Sequence, residues 1–260
     1  VSLKVSFSAY KLVTYPFSWA YKLEDMGFDG WEIVSEARQK ISEETLPEIR
    51  DIVNSTGLEI SVHAPFSDLN CATLNEPIWN ESIKQIKQCI ELSADFSKVI
   101  VIHPGILSPL GSQMPDKAWE RNVKALKIIC DHAKDYGVSV CLENMPNIDK
   151  LLGRTSHEIF GMIEMVDHEN ISFAFDIGHS NTMKNTREFL CNVKEVSHIH
   201  AHDNNGVYDE HLEIGKGNVK WDTVLSGLNG YGRLFVIEGR SLEEGEKSLR
   251  FIREWERKHS

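Results

Sequence analysis

Val99-Ile100-Val101-Ile102-His103-Pro104-Gly105 opens the segment that decides the architecture. A charged stretch with helical periodicity follows over Asp116–Tyr136. Gly137 comes next, and then Val138-Ser139-Val140-Cys141-Leu142-Glu143. A short apolar, β-branched run closed by Pro-Gly reads as a buried strand. The amphipathic stretch reads as the helix that returns the chain, and Gly137 as its C-terminal stop. The segment is therefore a strand–helix–strand unit.

The same alternation extends in both directions. Strand-like runs are expected at Leu3–Phe7, Gly30–Val34, Glu59–His63, Val99–His103, Val138–Glu143, Ser172–Asp176, Val196–His200 and Leu234–Glu238. Helical patterns lie between them, among them Glu43–Asn54, Trp79–Ala94 and Leu242–Arg257. Ser42 and Thr155 sit where helices should start, and Thr155 with Glu158 fits a capping box. Gly27 and Gly57 mark helix ends ahead of the second and third strands. Eight such units, with no Pro/Gly/Ser-rich linker, predict one α/β domain over 1–260, a (β/α)8 TIM barrel. An open doubly wound sheet is the alternative. No GxGxxG follows a strand to favour it, and Gly215-Lys216-Gly217 lacks P-loop spacing.

Composition bounds the function. The 260 residues carry 28 Lys and Arg against 39 Asp and Glu, a net charge of −11. That balance argues against a non-specific nucleic-acid coat. No apolar run approaches the ~18 residues of a membrane span. Val1–Val5 lacks the basic-then-apolar pattern of a secretory leader. The five cysteines form no CxxC and read as reduced, mostly buried thiols of a cytoplasmic protein.

In a barrel the working face is where the strands end. Strands three to eight end in His63, His103, Glu143, Asp176, His200 and Glu238. His179 follows Asp176 by three residues, and the loop after strand seven holds Asp209 and His211. A lone histidine at a strand end is usually packing or loop. Six successive polar ends among apolar neighbours are a different matter, because unpaired buried charge is costly. A divalent cation removes that cost. A buried polar network is the alternative, but it needs Arg or Lys partners that are scarce here. Imidazole and carboxylate without thiolate suit Zn²⁺, Mn²⁺ or Co²⁺. The nine candidate ligands are His63, His103, Glu143, Asp176, His179, His200, Asp209, His211 and Glu238. They exceed the needs of one ion and could fill two or three sites.

His198, His200 and His202 share a strand face by period-two alternation. His200 is nearest the expected strand end and is the first choice, with His202 as the other register. Glu32 is expected to end the second strand, as acid, base or hydrogen-bond acceptor, or else in an ion pair with Lys or Arg. Lys216 and Arg240 are candidates for holding an anionic substrate group. His132, His157, His168 and His259 read as surface.

The ordered series HAP, IHPG, LENMP, FDIGHS, HIHAHDN, DEHLEIGKG and IEG resembles the xylose isomerase-like barrel superfamily over almost the whole chain. The superfamily holds sugar isomerases and epimerases, inositol-catabolism enzymes and endonuclease IV-type apurinic-site nucleases. Likeness to the nucleases implies a three-zinc cluster on the nine candidates. Likeness to the epimerases implies one ion, often manganese, on Glu143, Asp176, His200 and Glu238. There Glu143 and Glu238 double as acid and base, and His179 positions the substrate. Two departures weigh against the nuclease. Phe66-Ser67 stands where DNA-cleaving members have a Tyr-Leu wedge, and Ile177-Gly178 where they have Thr-Cys. The expected activity is metal-assisted proton transfer on a sugar, polyol or sugar phosphate. Apurinic-site phosphodiester hydrolysis, with DNA as partner, is the alternative, and a non-catalytic sugar-binding or structural-metal barrel is a third.

Overall fold

The computed structural model describes residues 2–259; Val1 and Ser260, the ends of the expected domain, lie outside them. Eight parallel strands close in sequence order. They are β1 (Lys4–Ser8), β2 (Gly30–Val34), β3 (Glu59–His63), β4 (Val99–Ile102), β5 (Ser139–Glu143), β6 (Ile171–Asp176), β7 (Val196–Ala201) and β8 (Leu234–Glu238). Closure is by β1 on β8, with Ser8 in register with Glu238. The expected barrel is thus observed, and the open sheet is not.

The helices α1 (Leu46–Ser55), α2 (Glu76–Ser93), α3 (Pro115–Asp135), α4 (Ser156–Val166), α5 (Ile177–Met183), α6 (Thr186–Leu190), α7 (Trp221–Gly227) and α8 (Leu242–His259) connect the strands. Between β1 and β2 the chain makes two 3-10 turns, Tyr10–Leu12 and Phe17–Lys22, in place of an α-helix. Helix α1 starts later than its pattern suggested, because Ser42 and Thr45 bond to each other in a turn and Pro47 fits only the first helical turn. The Thr155 capping box is formed, with the hydroxyl accepting from Glu158 N and the carboxylate from Thr155 N. Gly27 and Gly137 take left-handed φ of +91° and +65°, whereas at Gly57 it is Thr56 that caps α1.

Strand alternation sorts side chains into two environments. Phe7, Trp31, Ile33, Val62, Ile102, Leu142, Phe175, Ile199 and Ile237 belong to the large core under the helices. Burying each contributes about 1.5–3 kcal/mol. Their neighbours Ser6, Glu32, Ser61, Glu143, Asp176, His198 and His200 are equally buried but polar, and by the period of two they face the barrel axis. Only Val101, Cys141 and Ala174 form a small separate apolar cluster. The barrel axis is therefore rich in polar groups toward one end. Cys71, Cys89, Cys130 and Cys141 are buried free thiols and Cys191 is an exposed one. His132 and His168 are half-buried rather than surface residues, paired with Glu91 and Asp131. No helix of the described residues is long and apolar enough to cross a membrane.

Candidate metal centre

Five of the nine candidates are carried by strands. His63, Glu143, Asp176 and Glu238 are the last residues of β3, β5, β6 and β8, and His200 is next to last in β7. His103 stands one residue past β4. Asp176 Oδ1 caps α5 by accepting from His179 N at 2.6 Å, which places His179 over the same strand end. Asp209 and His211 lie on the loop after β7. That loop is tied down by buried Asp203, which accepts from Asn204 N, Val219 N, Gly215 N and Trp221 Nε1 at 2.8–3.1 Å. His211 itself has φ of +48°, strain of the kind held at functional sites.

All nine converge at one end of the barrel, in three adjoining clusters. In the first, His63 Nε2, His103 Nε2 and Glu143 Oε2 are mutually 3.1–3.3 Å apart. In the second, His200 Nδ1 lies 3.0 Å from Glu143 Oε1, 3.7 Å from Glu238 Oε1 and 4.0 Å from Asp176 Oδ2. In the third, Asp209 Oδ2 lies 3.3 Å from His179 Nε2 and 3.1 Å from His211 Nε2. Glu143 serves the first two clusters, one oxygen to each. Ligands at 2.0–2.1 Å from a tetrahedral ion would be about 3.3 Å apart, so the spacing suits a shared cation. The donor chemistry suits it too. Asp176 Oδ2 and Asp209 Oδ1 are buried with no hydrogen-bond partner among the described residues, and a cation would satisfy both.

The histidines are pre-aimed. His63 Nδ1 is 2.9 Å from Ala64 O and His179 Nδ1 is 2.8 Å from Asn144 O, contacts that require N–H on those atoms. Their Nε2 lone pairs are thereby turned to the clusters. His200 Nε2 faces Glu32 Oε1 at 2.9 Å, which leaves Nδ1 toward the second cluster. Burial opposes charge on every group here. Glu32, Glu143 and Glu238 nevertheless outweigh it and raise His200 well above the ordinary histidine range. Asp176 and Asp209 do the same for His179. Burial likewise pushes Glu143 up, but His200 and His103 more than reverse it and hold it well below the usual carboxylate range. At His103 burial prevails and its pKa falls. Carboxylates this buried require positive charge nearby, from imidazolium or from a cation.

The description "xylose isomerase-like TIM barrel" fits a family model that matches residues 20–255. The chain belongs to that family. It is 36% identical over 97% of its length to the uncharacterised protein MJ1311 of Methanocaldococcus jannaschii, covering 90% of that protein. The crystal structure of a D-tagatose 3-epimerase-like protein superposes with a TM-score of 0.92 at 35% identity, over 97% of both chains. A probable endonuclease 4 of Mycobacterium leprae is 25% identical over 81% of this chain and 84% of its own.

Within this xylose isomerase-like barrel a cavity of about 530 Å³ opens onto the clusters. It is lined by His63, His103, Glu143, His179, Asp209, His211 and Glu238 together with the apolar side chains of Phe66, Met145, Ile148 and Leu151. Phe66 packs on His103 and His63, with ring centroids 4.7 and 5.1 Å apart. Arg240 and Lys11 also line the cavity, and two Arg240 donors are spent on Glu244. Lys216 is exposed and does not line it.

Glu32 corrects its expected place. It is the middle residue of β2, fully buried, and pairs with histidines rather than Lys or Arg. Its Oε2 accepts from Ser61 Oγ at 2.9 Å and from His198 Nε2 at 2.7 Å. Sequence reading did not single out Asn144 or Asp203, whose roles depend on long-range contacts. The Asn144 side chain bonds both the N–H and the carbonyl of Asp176 and so fixes β5 to β6 at the site.

Proposed function

We propose that this chain is a divalent-metal-dependent isomerase or epimerase of a sugar, polyol or sugar phosphate. The observation that carries the reading is the cavity. It has the size of a small-molecule site, and its lining combines the glutamates of β5 and β8 with the apolar side chains of Phe66, Met145, Ile148 and Leu151. Few cations surround it, and Arg240 is already committed to Glu244. A nucleic-acid backbone needs several free Lys or Arg at the mouth. Phe66 is seated on the histidine rings, so it acts as cavity wall rather than as a wedge. The superposing structure, of a D-tagatose 3-epimerase-like protein, points the same way.

The residues that would hold the cation for this reaction are Glu143, Asp176, His200 and Glu238, with Zn²⁺ or Mn²⁺ as the ions their chemistry favours. When bound, such an ion polarises a carbonyl and an adjacent hydroxyl and acidifies the C–H between them. Glu143 and Glu238 end β5 and β8, three strands apart around the barrel. One takes the carbon-bound proton and the other returns one. His179, held by Asn144 O, lines the cavity beside Glu143. The apolar side chains exclude water while the proton is in transit.

A second reading has one observation in its favour. Three adjoining clusters, with Glu143 between two of them, also suit hydrolysis of an apurinic-site phosphodiester on three zinc ions. One experiment separates the two. The metal-loaded chain is incubated with ketoses and their phosphates in deuterated water, and separately with abasic duplex DNA. Carbon-bound deuterium in a sugar, with intact DNA, is the expected result. Metal-dependent nicking without deuterium uptake would replace the proposal with the second reading.

A further inference from the structure

His202, the first residue past β7, is buried and neither ring nitrogen forms a hydrogen bond among the described residues. Its Nε2 lies 3.4 Å from Asp209 Oδ1 and 3.3 Å from Asp176 Oδ1. The ring stacks on His211 at 3.9 Å, 14° from parallel. The other face of the pocket is Gly178. A β-carbon on Gly178 would lie 2.0–2.4 Å from three atoms of the His202 ring, so the backbone of α5 admits this imidazole only because residue 178 is glycine. A buried imidazole without partners costs free energy. Here it is also aimed at Asp209 Oδ1, a buried carboxylate oxygen that lacks a hydrogen-bond partner of its own among the described residues.

We propose that His202 is a fourth protein ligand of the third cluster, closing it as a three-histidine, one-aspartate site with His179, Asp209 and His211. One ligand atom from each of the four lies within 4.8 Å of those of the others, the compass of a single ion. Four protein ligands mark a closed, structural site, whereas catalytic sites keep a position open for water or substrate. The ion held here then fixes α5 and the loop after β7 to each other. The reacting groups are left to the other two clusters. The inference rests on the barrel taking a divalent cation, and on neither reading of the reaction.

The test uses the full chain stripped of metal and titrated with Co²⁺, whose four-coordinate form absorbs far more strongly in the visible than its five- or six-coordinate forms. The variant Asp209→Asn identifies which bands come from the third cluster. In His202→Asn those bands should collapse and affinity there should fall roughly 10- to 100-fold. Gly178→Ala, which displaces the ring without removing it, should do the same. Unchanged bands in both variants would overturn the inference. So would weaker binding at full band intensity, which marks a hydrogen-bonding role only. Should the variants fail to fold, anomalous diffraction from the unaltered chain soaked in zinc decides. Zinc bonded to His202 Nε2 is expected, and zinc in the third cluster remote from it refutes the assignment. If the unaltered chain binds no Co²⁺ or Zn²⁺, it is the metal reading itself that fails.

Discussion

Glu32 Oε1 and His200 Nε2 meet at 2.9 Å inside the barrel, both side chains fully buried. The contact turns His200 Nδ1 to the second cluster, and His198 holds Glu32 from its other oxygen. With a cation bound at the second cluster, Glu32 would be the outer carboxylate that sets the aim and basicity of His200 as a ligand. Burial would push Glu32 up, but His200 and His198 hold it well below the usual carboxylate range. Glu32→Gln keeps the shape and removes the charge. Metal affinity at the second cluster should fall roughly 10- to 100-fold while the circular dichroism stays the same. Chelator competition measures it. Equal affinity in the variant would mean that the contact is packing alone.

Much of this was legible in the sequence, and the reason is geometric. Strands buried on both faces are short apolar runs, and the residue that ends each run lies on the working face. His63, Glu143, Asp176 and Glu238 could therefore be placed from the end of a run alone. Glu32 could not. Its run, Gly30-Trp31-Glu32-Ile33-Val34, continues past it, and only the closed barrel shows a strand-two glutamate facing a strand-seven histidine. The histidine triplet was ambiguous because alternation fixes the face but not the depth. The structure puts His198, His200 and His202 at three successive levels, against Glu32, at the second cluster and at the third. The roles of Asn144 and Asp203 depend on partners up to 32 residues away, which periodicity cannot encode.

Glu143 and Glu238 should respond differently to loss of charge. Glu143 presents Oε2 to His63 and His103 and Oε1 to His200, so Glu143→Gln should weaken two clusters together. Glu238→Gln should spare the first cluster. Metal content counted by mass spectrometry after dialysis reads the difference. Turnover should fall by about 10²-fold or more in both, if each carries a proton. Full metal content with lost turnover in Glu238→Gln would make that residue an acid/base and not a ligand.

Without a cation, the clusters depend on protonated histidines for positive charge. Burial works against protonation of His202, but Asp176, Asp209 and Glu238 raise it from 6.5 to about 9. His179 and His200 are raised well above 6.5 as well. A raised histidine contributes stability that is complete below its unfolded value and is lost as pH climbs through its folded one. The metal-free chain should therefore lose stability between pH 6.5 and about 9. Metal binding removes those protons and favours the same alkaline range. The gap in Tm between metal-loaded and chelated protein should widen across that interval. Melts at constant ionic strength check this, and a gap independent of pH would contradict it.

Asp203 holds the loop that carries Asp209 and His211. Its Oδ1 accepts from Asn204 N and Val219 N, and its Oδ2 from Gly215 N and Trp221 Nε1. All four bonds are to N–H groups, and the carboxylate is buried. In Asp203→Asn one oxygen becomes NH₂, and whichever way the amide turns, two buried donors face another donor. Each unsatisfied donor costs about 1–3 kcal/mol, so the loop should lose on the order of 2–6 kcal/mol of local stability. His63 and Glu143 end β3 and β5, His103 directly follows β4, and none of the three depends on that loop. The variant should therefore keep the first cluster's affinity, lose that of the third, and be cut by protease between Asn204 and Val219 where the unaltered chain resists. Protease resistance together with full occupancy of the third cluster would show that the loop is fixed by its remaining backbone contacts instead, such as the Asp203–Leu212 pair of 2.8 and 2.9 Å bonds.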